Sequence, residues 1–182
     1  MQFFEVTLDW DKNGFLDDKY GGNATAEFKD SNGYPDVSPK ISWQEVSGAK
    51  SYALEFIDYD SVPVCGKVFV HWVVADIRKN ILEENASRVD KGILQGINSI
   101  TQGYLRSDLP EDKKFQSNLD TSKYIGPMPP NKDHHYLFTI YALDIPTLEL
   151  KKPFFISDMH DKMRGHIIAI GRAEFKYRQY KR

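Results

Sequence analysis

A single cysteine, Cys65, stands among the 182 residues, so no disulfide can form within the chain, which suits a reducing compartment. Long apolar runs are missing as well, and none approaches the roughly 18 residues of a membrane-spanning helix. The opening Met1-Gln2-Phe3-Phe4-Glu5 has neither the basic start, nor the apolar centre, nor the cleavage site of a secretory signal. These absences predict a cytoplasmic protein without membrane insertion. They also leave the sequons Asn23-Ala24-Thr25 and Asn85-Ala86-Ser87 without consequence. Charge of one sign is lacking too. Lys and Arg number 24 against 26 Asp and Glu, a formal net charge of -2, which gives no overall attraction to nucleic acid or an anionic bilayer. There is no internal repeat, no heptad pattern, no Gly-x-Ser-x-Gly elbow, no P-loop and no Gly-x-Gly-x-x-Gly fingerprint. What is present is the composition of a folded chain, 41% hydrophobic and 27% charged, long enough to bury a core without disulfides or metal. A single domain over residues 1–182 is the expectation.

Three segments rich in β-branched and aromatic residues, 51–58, 67–77 and 136–143, read as strands. The middle one contains Val68-Phe69-Val70-His71-Trp72-Val73-Val74, almost continuously apolar, as in a strand buried on both faces; His71 is its one anomaly. Turn formers concentrate between the strands, at 29–39, 107–123 and 124–133. The stretch 107–123 is charged and nearly free of large apolar residues, a solvated excursion and not a domain boundary. A short helix is predicted over 157–164, with Ser157 or Asp158 as N-cap, Met159 and Met163 on one face and Gly165 as its stop. A last strand follows at 167–177, and the basic residues Lys176, Arg178, Lys181 and Arg182 read as a solvated tail. The sum is a mainly β domain, a sandwich with one or two small helices.

Four pieces set a polar or conformationally special group at the edge of an apolar strand: Asp58-Tyr59-Asp60-Ser61-Val62-Pro63, His71-Trp72, Tyr124-Ile125-Gly126-Pro127-Met128-Pro129-Pro130 and His134-His135-Tyr136. If neighbouring strands bring them together, a carboxylate can fix one nitrogen of an imidazole and leave the other to face a ligand. Histidines, a tyrosine hydroxyl and backbone N–H groups together offer hydrogen bonds to a phosphate or carboxylate. The proline-rich run adds a wall with little backbone freedom to lose on binding. Aspartates beside an anion repel it unless the histidines are protonated or the ligand also carries a cation, which favours a zwitterion. Affinity for a simple anion is then expected to rise as pH falls through the histidine range.

In order along the chain, these pieces resemble the phosphatidylethanolamine-binding protein family, in particular its bacterial branch of Raf-kinase-inhibitor-like proteins. The resemblance starts at Val37-Ser38-Pro39-Lys40-Ile41-Ser42-Trp43 and runs through Lys50-Ser51-Tyr52-Ala53-Leu54 into 58–63, which is similar to the family's Asp-Pro-Asp-Ala-Pro motif. It continues with His71-Trp72-Val73-Val74, the Gly-Pro-Met-Pro-Pro run, His134-His135-Tyr136, Tyr141-Ala142-Leu143-Asp144, and Met163 followed by Gly165-His166. It implies an antiparallel β-sandwich with a small anion-binding pocket. Its positions here would be Asp58, Asp60, His71, Pro129, Pro130, His134 and Tyr136, with His135 pointing elsewhere. Tyr59 departs from the motif's first proline, and Ser61-Val62-Pro63 is one residue longer than usual, which predicts a reshaped rim.

The reading is therefore a binding protein and not an enzyme, with no cofactor. Its partners are a small anionic or zwitterionic ligand, such as a phospholipid head group, and, by resemblance, a protein such as a kinase that it modulates. The resemblance also makes a homodimer one expectation, although no apolar stripe requires it. Two alternatives stand beside this. One is a phosphoester hydrolase using Asp58, Asp60, His71 and His134 as metal ligands or acid and base. The other is an interaction module with a vestigial pocket, acting through 107–123.

Overall fold

The computed structural model describes residues 2–101 and 121–181, so most of the charged stretch 107–123 lies outside the described residues. The described strands form two sheets. The larger one runs in the order β1 (Gln2–Phe4), β9 (Ile167–Tyr177), β8 (His134–Leu143), β4 (Ser51–Asp58), β5 (Phe69–Ile77) and β7 (Leu94–Gln95). The smaller one runs β2 (Val6–Leu8), β3 (Ile41–Trp43) and β6 (Ile81–Leu82). Short helices α1 (Val62–Cys65), α2 (Ala86–Val89) and α3 (Ile156–Met163) lie between strands.

The apolar patterning accounts for the layering. Along β4, Tyr52, Leu54 and Phe56 face one way and pack with Trp72 and Val74 of β5 and with Ile41, Trp43 and Leu82 of the smaller sheet. Ala53, Val73, Tyr141 and Ile170 face the other way and pack with Met159 and Met163 of α3, together with Leu148 and Phe154. A sheet covered on both sides needs strands apolar on both sides. Every residue of β4 is accordingly buried.

Two expectations are corrected. The larger sheet is mixed, because β1 runs parallel to β9, with Gln2 beside Ala169 and Phe4 beside Gly171. Only Glu5 separates β1 from β2, so one extended segment serves both sheets, and the direction it needs to pair antiparallel with β3 leaves it parallel to β9. Helix α3 begins at Ile156, with Phe155 in the cap position. Asp158 sits inside the first turn, where its Oδ2 accepts the Phe155 N–H at 2.8 Å. The end of the helix follows the sequence: Gly165 has φ +81° and the Met159 and Met163 side chains are buried.

The basic tail is not simply solvated. Arg178 reaches the Asp11 and Asp18 carboxylates at 3.0 and 3.5 Å, and Lys176 lies over the Phe15 ring at 4.4 Å. No helix among the described residues is long and apolar enough to cross a membrane.

Candidate ligand-binding cleft

The site begins with a mismatch between two strands. Phe56 lies opposite Trp72 and Ile57 opposite Val70, so His71 is an extra residue on β5. A bulge of this kind turns two successive side chains toward one face. Strict alternation would send His71 toward α3; instead its ring centroid lies 4.7 Å from that of Phe56 and 5.4 Å from that of Tyr136. On the other flank of β4, Ile57 pairs with Leu137, which brings Asp58 level with Tyr136 and within reach of His134.

His134 and Asp58 form a buried pair, 1% and 4% exposed. Asp58 Oδ2 is 2.8 Å from His134 Nδ1, and its Oδ1 accepts the Ser61 N–H at 3.1 Å. The carboxylate therefore places the proton on Nδ1. On the far side of the ring, Nε2 lies 2.8 Å from Asn131 Oδ1. Burial raises the Asp58 carboxyl above the usual carboxylate range, with His134 and the Ser61 and Asp60 backbone N–H groups pulling the other way.

His71 is held differently. Its Nδ1 lies 2.8 Å from the Ile125 carbonyl oxygen, which can only accept, so Nδ1 carries the proton and Nε2 is bare. Burial, aided by the neighbouring His134, pushes its pKa down to about 3, so the ring is neutral at neutral pH. The Tyr136 hydroxyl is raised far above its ordinary value by burial and stays protonated. Among the described residues neither His71 Nε2 nor the Tyr136 hydroxyl has a hydrogen-bond partner, and neither is sealed off from the space above it. That space is a cleft of about 1100 Å³.

The walls come from loops. A Cβ on Gly126 would lie 2.1 Å from the Tyr20 carbonyl oxygen, so only glycine fits there. Its N–H donates to the Pro35 carbonyl at 2.7 Å, which fixes the neighbouring Ile125 carbonyl against His71. Met128, Pro129 and Pro130 continue the wall, and the tail residues Gln179, Tyr180 and Lys181 close it. Two hydrogen bonds join tail to wall, Tyr180 N–H to the Pro129 carbonyl at 2.8 Å and Gln179 Nε2 to the Pro130 carbonyl at 2.9 Å. The ammonium groups of Lys67 and Lys181 belong to exposed residues of the lining.

Of the residues expected at the site, Asp58, His71, Pro129, Pro130, His134 and Tyr136 line this one cleft, and Asp60 does not. Asp60 turns to the start of β8, where it accepts the His135 N–H at 2.9 Å and meets Lys132 Nζ at 3.2 Å. The His135 bond holds its carboxyl below the usual range. His135 itself is exposed, on the face away from the cleft. Tyr59 is 61% exposed and outside the lining; of Ser61-Val62-Pro63 only Ser61 lines the cleft, followed by Val64 and Cys65 at the end of α1. Ser61 Oγ accepts the Phe69 N–H at 2.9 Å and lies 2.6 Å from the Asp58 carbonyl oxygen, clasping the segment between β4 and β5. Sequence reasoning missed the Ile125 carbonyl and Asn131. Gly126 was the available signal for the first, and no pattern marked the second.

A two-sheet β protein whose strand ends converge on a part-polar cleft belongs, as a class, with small-molecule-binding folds. The match to known proteins gives the family: residues 7–178 fit the model described as Phosphatidylethanolamine-binding protein, and the chain belongs to that family. The Bacillus subtilis protein YxkA is 38% identical over 161 residues, 86% of this chain and 90% of that one. Among solved structures, a phosphatidylethanolamine-binding protein homologue from Chlamydia trachomatis has a TM-score of 0.72 at 23% identity, covering 98% of this chain and 99% of that one. YbcL of E. coli gives 0.70 at 23% identity with the same coverage. At this identity the two structures speak for the fold.

Proposed function

We propose that the cleft binds a small phosphate-bearing ligand, anionic or zwitterionic, of the kind found in phospholipid head groups, and leaves it chemically unchanged. The observation that carries this reading is a pair of polar atoms on the cleft floor, His71 Nε2 and the Tyr136 hydroxyl, that have no partner among the described residues, in a cleft whose lining also includes the exposed residues Lys67 and Lys181. Hydrogen bonds to charged oxygens are the strong ones, and Tyr136 is the floor's clear donor. Asp58 offers a carboxylate to the ammonium of a zwitterion, and the Pro129–Pro130 wall selects for shape at little entropic cost. A cytoplasmic setting belongs to the same reading and rests on the lone free thiol, Cys65.

Binding is favoured over hydrolysis by the chemistry of the floor. A base with its pKa pushed down to about 3 removes little proton density from a water at neutral pH, so His71 is a poor general base. Among the described residues no three His, Cys, Asp or Glu side chains converge at metal-holding spacing. Titration calorimetry with phosphate, phosphoethanolamine and a nucleotide tests the reading. Phosphoethanolamine is expected to bind more tightly than phosphate, and Asp58→Asn is expected to remove that advantage without weakening phosphate binding, since it takes away a repelling carboxylate. Heats of dilution alone for all three ligands would end the proposal.

A further inference from the structure

We propose that the floor of the cleft reads a proton on its ligand: His71 Nε2 accepts a hydrogen bond from a P–OH, so the site takes the singly protonated monoanion of a phosphate monoester and rejects both the dianion and sulfate. This rests on the phosphate reading above and narrows it to a free monoester such as phosphoethanolamine, because the diester of an intact phospholipid carries no P–OH in the neutral range.

The argument is one of donors and acceptors. The Ile125 carbonyl, fixed in place because Gly126 sits against the Tyr20 backbone, claims the Nδ1 proton of His71 at 2.8 Å. Moving that proton to Nε2 would set the Nδ1 lone pair against the carbonyl lone pairs at the same distance. Adding a second proton would place an imidazolium among the rings of Phe56 on β4, Phe69 on its own strand and Tyr136 on β8, beside His134. Asp58, at the end of β4, is a second acceptor, its Oδ2 already engaged by His134. Lys67 and Lys181 also line the cleft, and both are exposed residues, unlike the buried His71 and Tyr136. The floor thus presents two acceptors and, in the Tyr136 hydroxyl, one donor.

A tetrahedral dianion has only lone pairs to turn toward that floor, so one of its oxygens must face His71 Nε2 with no hydrogen between them. The monoanion has one P–OH for His71 and charged oxygens for Tyr136 and the lysines. Sulfate has the same shape and, through the neutral range, no proton to give. This also changes the meaning of any gain in affinity at low pH: the proton that matters is carried by the ligand and not by the histidine.

Calorimetry with methyl phosphate and with sulfate, run from pH 5.5 to 8 on the full chain, separates the possibilities. The second ionisation of a phosphate monoester lies near 6, so methyl phosphate affinity should fall about tenfold per pH unit above that point. Sulfate should bind at least about thirtyfold more weakly at pH 6 and show no such slope. His71→Asn keeps an amide N–H in reach of the Ile125 carbonyl but lacks Nε2, and it should bring the two affinities together. Nitrogen-15 spectra of the bound wild-type chain should show a neutral His71 protonated on Nδ1. Equal affinity for the two anions at pH 6, a pH slope shared by both, or an imidazolium signal for His71 in the complex overturns the inference and leaves the phosphate reading standing. Binding of neither anion at any pH overturns both.

Discussion

Removing a single oxygen atom from Tyr136 is the mildest probe of the cleft floor. The ring stays stacked on Phe175 and tilted against Phe56, so Tyr136→Phe should leave the thermal midpoint unchanged. It deletes a donor to a charged group, worth about 1.5–3 kcal/mol, and calorimetry should show phosphate binding weakened roughly ten- to hundredfold. Two positions earlier on the same strand, the expected outcome reverses. His134→Ala leaves the Asp58 carboxylate buried without its partner, a loss of about 3–5 kcal/mol that urea unfolding would register. Adding Asp58→Asn should return part of that loss, since a neutral amide costs less than a carboxylate to leave buried without its partner. From the sequence alone, His134 looks like a ligand contact whose removal spares the fold; its 1% exposure and its bond to Asp58 tie it into the fold instead. Asp58, His71, His134 and Tyr136 were legible because each interrupts or ends an apolar run. Asp60 carried the same signal without the same place, because the turn after β4 points it at the start of β8.

Elements were legible in proportion to their length. The strands of the larger sheet that build the site, β4, β5, β8 and β9, span 8 to 11 residues and announce themselves through branched and aromatic side chains. The smaller sheet was invisible, since its strands have only two or three residues and no period can be read from so few. The bulge at His71 was equally hidden, with no glycine or proline to mark it, yet it decides which face the imidazole occupies. Behind the sheet, helix α3 is fastened by His160, whose Nε2 lies 2.7 Å from Glu55 Oε2, while Glu55 Oε1 accepts the Tyr141 hydroxyl at 2.8 Å. The hydrogen bond to Glu55 raises the His160 pKa above its ordinary value. A raised folded-state pKa stabilises fully below the unfolded value near 6.5, and that contribution is lost as pH rises through the folded value. The gap in stability between wild type and His160→Gln should therefore be widest below about pH 6.5 and close toward alkaline pH. A gap independent of pH in thermal melts would remove the charged form of His160 from the account.

Across the molecule, the tail links the two ends of the chain's path to the site. Its ion pairs from Arg178 to Asp11 and Asp18 are solvent-exposed, and such pairs contribute about 0–1 kcal/mol each. Its contacts with Pro129 and Pro130, by contrast, make part of the cleft wall. Deleting residues 179–182 spares the Arg178 pairs and should barely move the unfolding midpoint, within about 1 kcal/mol, while removing the contacts with Pro129 and Pro130 and loosening ligand binding several-fold. A large drop in stability with unchanged affinity would reverse that assignment. The parallel pairing of β1 with β9 has a practical side. Gln2 lies beside Ala169, and β9 then runs eight residues on to Tyr177, which pairs with His134 at the cleft, so Gln2 lies roughly 25 Å from Tyr177 along the sheet. A purification handle or surface tether joined ahead of Gln2 starts well away from the mouth of the cleft. One joined after the tail starts against its wall and competes with whatever ligand an immobilised assay is meant to detect.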